Sequence, residues 1–150
     1  SEFTEASALL NLTSVARFKH RRHSVDLFNR FIFENWGLHE LERVIILFNQ
    51  HVMIHFSFEE DLIVALSSAP RVCNGLNFFL FRWSYDFHLH RDPSMMEIWV
   101  SFPQLPLLFQ NPTIIKMLGN LVGRYLCSDS QTRVVCHPVY PRICVEVDVS

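Results

Sequence analysis

Residues 41–57 read LERVIILFNQHVMIHFS, and they decide the fold. Leu41 to Phe48 is rich in β-branched residues, and Asn49-Gln50 is turn-like. His51 to Ser57 then alternates, with Val52, Ile54 and Phe56 on one side and His51, Met53 and His55 on the other. Two such arms around a short polar turn predict a β-hairpin. Ser57 opens the pattern S-x-x-E with Glu60, a capping box that predicts a helix over Phe58 to Ala69, stopped by Pro70.

Upstream of the hairpin, Ala8 to Phe18 predicts a first strand. A charged loop follows, with Arg17, Lys19, Arg21 and Arg22 interspersed by His20 and His23. Ser24 is placed to cap a helix, and Asp26 sits in its first turn, where the helix dipole favours an acid. Val25, Phe28, Phe31 and Ile32 recur at helical spacing as far as Trp36, and Gly37 supplies the stop. Downstream, Asn74-Gly75 marks a turn and FFLFRWS, residues 78–84, a strand. The order is therefore β-α-β-β-α-β, that of the ferredoxin-like class, which includes the RNA-recognition-motif (RRM-like) architecture.

A second, smaller unit follows. Glu97 to Phe102 predicts a strand, Pro103 to Pro106 a stiff connection, and Asn111-Pro112 a capped helix start with proline at its first position. Ile114, Ile115, Leu118, Leu121 and Val122 line that helix until Gly123. Tyr125 to Ser128 and the alternating RICVEVDV, residues 142–149, predict two more strands. This β-α-β-β extension is expected to pack on the first unit, so that residues 1–150 form one α+β domain with a shared core.

Composition agrees with a globular chain. Of 150 residues, 49% are hydrophobic and 19% charged, too apolar for a disordered segment. Fourteen phenylalanines promise an aromatic core or an aromatic surface. Thirteen basic residues against fifteen acidic ones give a net charge of −2, which excludes a histone-like binder. No apolar run approaches the roughly 18–20 residues of a membrane helix. Four cysteines without a signal-peptide pattern predict a reduced, intracellular protein of nucleus or cytoplasm.

Three further segments carry a family resemblance. They are Trp83-Ser84-Tyr85-Asp86-Phe87, the run Trp99-Val100-Ser101-Phe102-Pro103-Gln104-Leu105-Pro106, and Arg142-Ile143-Cys144-Val145-Glu146-Val147-Asp148-Val149. Together with Ser57-Phe58-Glu59-Glu60-Asp61 and Asn74-Gly75, this ordered set resembles a plant domain family of unknown function. That family lies near the start of the first open reading frame of LINE-type retrotransposons and their host-gene relatives. The resemblance covers nearly the whole chain. It implies an RNA-recognition-like fold and nucleic-acid binding in retrotransposon RNA packaging. A zinc knuckle often follows in family members, and this chain stops before one would appear.

An RNA-recognition sheet stacks bases on exposed aromatics of its first and third strands. Here Leu10 to Val15 offers no aromatic, and the outward third-strand residues are His51, Met53 and His55. The last strand compensates, because alternation puts Phe79, Phe81 and Trp83 on one face and Phe78, Leu80 and Arg82 on the other. If the former set lies beside His51 and His55, it makes a displaced stacking platform; the alternative is that the second unit covers it. The basic residues Arg17, Lys19, Arg21 and Arg22 suit phosphate contact, and eleven of the thirteen basic residues are arginine. Candidate contacts to RNA or single-stranded DNA are thus Arg17, Lys19, Arg21, Arg22, His51, His55, Phe79, Phe81, Arg82 and Trp83. The rival reading is a protein-interaction or self-assembly module, favoured by the near-neutral charge and high apolar content.

Catalytic and metal readings fare poorly. There is no glycine-rich phosphate loop, G-x-S-x-G or H-E-x-x-H pattern, so no enzyme is expected. Cys127, Cys136, His137 and Cys144 match no zinc spacing, and no cofactor is expected. Glu59-Glu60-Asp61 reads as an acidic helix start that complements the dipole.

Overall fold

The computed structural model describes residues 11–19, 24–40, 42–47, 50–68, 71–84, 95–129 and 141–149. The chain divides into two compact units at Pro93/Ser94, each mixing α and β structure around an antiparallel sheet.

The first unit runs β1 (Thr13–Phe18), α1 (Val25–Trp36), β2 (Arg43–Ile46), β3 (His51–His55), α2 (Glu59–Ser67), β4 (Val72–Cys73) and β5 (Leu76–Arg82). Its sheet has the order β2-β3-β1-β5-β4, antiparallel throughout. The expected hairpin is β2-β3, with Val44 opposite Ile54 and Ile46 opposite Val52. The strand β1 lies at the centre, paired with β3 on one side and β5 on the other, and Val15 and Ala16 are both fully buried although they point to opposite faces.

Period-two geometry sends Phe18, Val52, Ile54, Phe78 and Leu80 to one face, and α1 covers it with Phe28, Phe31, Ile32 and Trp36. Much of the phenylalanine content is spent there. The Phe28 ring lies edge-on to Phe18 at 5.3 Å and to Phe78 at 5.5 Å, and Trp36 meets Phe56 at 6.3 Å. Helix α2 contributes Leu62, Ala65 and Leu66, all buried.

The caps of α1 are as expected: Ser24 Oγ accepts the Leu27 amide at 3.3 Å, and Gly37 takes the left-handed conformation with φ of 56°. Three local expectations are corrected. First, α2 starts one residue later, with Phe58 as its cap and no side-chain capping bond, so Ser57 and Glu60 form no capping box there. Second, the first strand begins at Thr13, after a turn at Asn11-Leu12, and carries Arg17, while Ala8 to Leu10 lie outside the described residues. Arg17 belongs to the strand because Phe18, the next residue, must reach the helix-covered face. Third, the last strand starts at Leu76 rather than Phe78, because the expected turn at Asn74-Gly75 pairs it with an additional short strand, β4, with φ of 46° and 82° at the turn residues. That is the conformation in which a two-residue turn matches strand twist. The last strand ends at Arg82, and Trp83 continues the ladder by donating its amide to Thr13 O at 3.0 Å.

The second unit runs β6 (Met95–Ser101), a single 3-10 turn (Leu107–Phe109), α3 (Pro112–Val122), β7 (Arg124–Ser128) and β8 (Arg142–Asp148), with sheet order β6-β8-β7. Asn111 Oδ1 accepts the Ile114 amide at 3.0 Å, and Pro112 fills the first helical position, as the sequence predicts. The core is aliphatic: Ile115 of α3 packs with Ile143 and Val145, ringed by Ile98, Val100, Phe102, Leu105, Tyr125 and Val147. Gly123 does more than end α3. A Cβ there would sit 2.2 Å from the carbonyl oxygen of Glu146, so only glycine lets β7 start this close to β8.

Candidate nucleic-acid interface

The face of the first sheet turned away from α1 follows from register. Directly opposed residues share a face, so Arg43, His55 and Thr13 form one row, Ile45, Met53, Val15 and Phe81 a second, and His51, Arg17 and Phe79 a third. Trp83 takes the position opposite Thr13. Phe79 and Phe81 therefore share one face with His51 and His55, as expected, but β1 stands between the two sets. Arg82 is not part of that face: it sits opposite Ser14, on the helix-covered face. Lys19 follows β1 directly and is exposed, whereas Arg21 and Arg22 lie outside the described residues.

The face is closed at its middle and open at its rim. Thr13, Val15 and His51 are buried and Phe81 is 8% exposed, while Phe79 is 46% exposed and Arg43 and Ile45 on the edge strand are open. Arg17 lies over the Phe79 ring with its guanidinium carbon 4.7 Å from the centroid. The rings of Phe79 and Phe81 are parallel within 9° at 6.4 Å, so guanidinium and rings form a short ladder of planar groups. Thr13 Oγ1 and His55 Nδ1 lie 3.2 Å apart, which orients that imidazole. None of the described strand positions on this face is aspartate or glutamate. Sequence reading missed Arg43, yet the hairpin register held the signal, since counting outward from the Ile46–Val52 pair brings it opposite His55.

The acidic start of α2 has a different use from the one expected. Asp61 is turned inward and buried, accepting the His39 amide at 3.0 and 3.1 Å, the Glu40 amide at 3.2 Å and the His39 ring Nδ1 at 2.8 Å. Burial pushes its carboxyl up, but these donors outweigh burial and hold it below its ordinary value. The hydrogen bond to Asp61, and then its charge, raise exposed His39 above the ordinary imidazole value. The pair ties the segment after Gly37 to α2, a structural clamp.

Among the described residues no group of three histidine, cysteine or acidic side chains gathers to hold a metal. Cys136 and His137 lie outside them. Cys73 is buried, and burial pushes its thiol up. No described helix is long and apolar enough to cross a membrane. No family model matches this chain, and neither does any curated protein or solved structure.

Proposed function

We propose that the first unit is an RNA-recognition-like module that binds single-stranded nucleic acid, RNA or DNA, weakly and with little sequence preference, as the resemblance to the retrotransposon-associated family implies. The antiparallel order β2-β3-β1-β5, with α1 on one face, supports that fold. The observation that carries the function is Arg17 over half-exposed Phe79 on a sheet face whose described strand positions hold arginine and histidine but no carboxylate. Bases stack on such planar groups regardless of identity, and arginines on one face draw the phosphate chain. Because the middle of the face is buried, contact is confined to the Arg17/Phe79 end with Lys19 and to the Arg43 edge.

Fluorescence anisotropy with labelled RNA and single-stranded DNA across a salt series tests this, using wild type, Phe79→Ala and an Arg17/Lys19/Arg21/Arg22→Ala variant. Binding that weakens with salt and falls in both variants is expected. No binding at low salt by the folded wild type would refute it. A second reading, a protein-interaction or self-assembly module, is favoured by a separate observation: Leu107, Leu108, Met117 and Leu121 of the second unit are all well exposed, Leu108 and Leu121 by more than four-fifths. Concentration-dependent association in sedimentation, lost in Leu121→Lys, is its signature.

A further inference from the structure

Cys127 of β7 and Cys144 of β8 are directly opposed in antiparallel register, and both are thiols. Opposed residues of an antiparallel pair have Cα atoms about 4.5–5.5 Å apart, inside the span of about 4.4–6.8 Å that a disulfide bridges. The Asp129 amide donates to Arg142 O at 3.0 Å, so by alternation Cys127–Cys144 is also a hydrogen-bonded pair, at the wider of the two spacings. The register shifts between Tyr125 and Cys127, leaving Leu126 as an extra residue beside the pair, where a bulge lets the strand bend. Access is unequal: Cys144 is fully buried, whereas Cys127 is partly exposed. On the other flank of Cys144, directly opposite it on β6, stands Trp99.

We propose that Cys127 and Cys144 are a cross-strand dithiol that a small disulfide, such as oxidised glutathione, converts reversibly into an intramolecular disulfide. The Cys127 thiolate attacks one sulfur of the reagent, breaking its S–S bond and releasing one glutathione thiolate, which takes up a proton. Cys144, giving its proton to solvent, then attacks Cys127 Sγ, forming the Cys127–Cys144 bond and releasing the second glutathione. The two cysteines lose two electrons and the reagent gains them. Because Cys127 is partly exposed, a reducing thiol can reach the product, the property of a reversible rather than a structural bond.

The test incubates the whole chain with oxidised and reduced glutathione at graded ratios, alkylates the remaining thiols and maps the peptides. Expected is a loss of about 2 Da with the peptides of Cys127 and Cys144 linked, reversed by dithiothreitol. Oxidation should also quench tryptophan emission, an effect that Trp99→Phe abolishes while the link still forms. Cys127→Ser, folded by circular dichroism, should leave Cys144 a thiol at every ratio. A lasting glutathione adduct on Cys127 with Cys144 still alkylatable, a link from either to Cys136, or no reaction at all would overturn the proposal.

Discussion

Among the described residues each of the two sheets has one face that no helix covers, and on each such face an arginine of the central strand lies over an aromatic ring of a neighbouring strand. In the first unit Arg17 stands 4.7 Å from Phe79; in the second Arg142 stands 5.1 Å from Trp99, which is 41% exposed. The motif is the same and the surroundings are opposite. Beside Arg17 the register brings His51, His55 and Arg43. On the face of Arg142 it brings Glu97 and Glu146 into one row with Arg124, two rows away, with Asp148 beyond them, and Arg142 also reaches Asp129 at 3.4 Å. An arginine over an aromatic ring is therefore no sign of nucleic-acid binding by itself. The charge of the neighbouring rows decides whether a phosphate chain can approach. Among the described acids of the first unit, Asp26, Glu59, Glu60 and Asp61 lie in the first turns of α1 and α2, and one of them, Asp61, is consumed inside the fold.

The largest effect should come from that sequestered acid. Asp61→Asn removes the charge of a buried acceptor that three donors share and should cost the first unit about 2–3 kcal/mol in urea unfolding. In the wild type the sign with pH follows from the two groups. The Asp61 contribution is present above its ordinary value of 3.8 and is lost as pH falls through its lowered folded value. The His39 contribution is present below its ordinary value of 6.5 and is lost as pH rises through its raised folded value. The clamp is thus strongest between pH 3.8 and 6.5, and a urea midpoint for Asp61→Asn with the same pH profile as wild type would show that the clamp does not hold the fold.

Next in size is Phe79→Ala, which should weaken single-strand binding by about 1–3 kcal/mol, roughly 5- to 150-fold. Trp99→Ala should leave it within about twofold, since the acidic rows keep phosphates away. Equal losses in the two variants would break the comparison. Smaller again, Arg17→Gln and Arg43→Gln should each lower the slope of log affinity against log salt by about one, and Arg142→Gln should not change it. Smallest is Glu97→Gln, for which a gain of less than about twofold is expected; a large gain would mean that the second sheet already touches the strand.

What was legible in the chain was local. The alternation around His51 to Phe56 and in residues 142–148, the Ser24 and Asn111 caps, and the Gly37 stop each report short-range geometry, and each appears where expected. The face assignment of Phe79 and Phe81 also followed, because period two needs only one anchored residue. Three features needed more than a short window. Strand β4 is two residues long and exists only through its turn to β5. Arg17 looked like loop because its charge was read before the demand of Phe18 for the core. The burial of His51 and Phe81 on the face away from α1 is not recorded by alternation, which assigns a residue to a face and not what the face meets. Asp61 was misread for a related reason: its partners are His39 and Glu40, some twenty residues upstream, and a run of three acids looks the same whether or not one turns inward.

The central place of β1 bears on the order in which the sheet assembles. The pairs β2-β3 and β4-β5 are hairpins closed by a few residues, so their contacts cost little loop entropy. Strand β1 instead pairs with residues 51–55 and 78–82, closing much longer stretches of chain on both sides. The two hairpins can therefore form early and leave between them a slot, which β1 enters last. Pulsed hydrogen exchange during refolding should show β1 amides protected after those of β3, and the reverse order would exclude this route. A strand that enters last is also the one most easily supplied by another copy of the chain, so dilution during refolding protects this fold through β1.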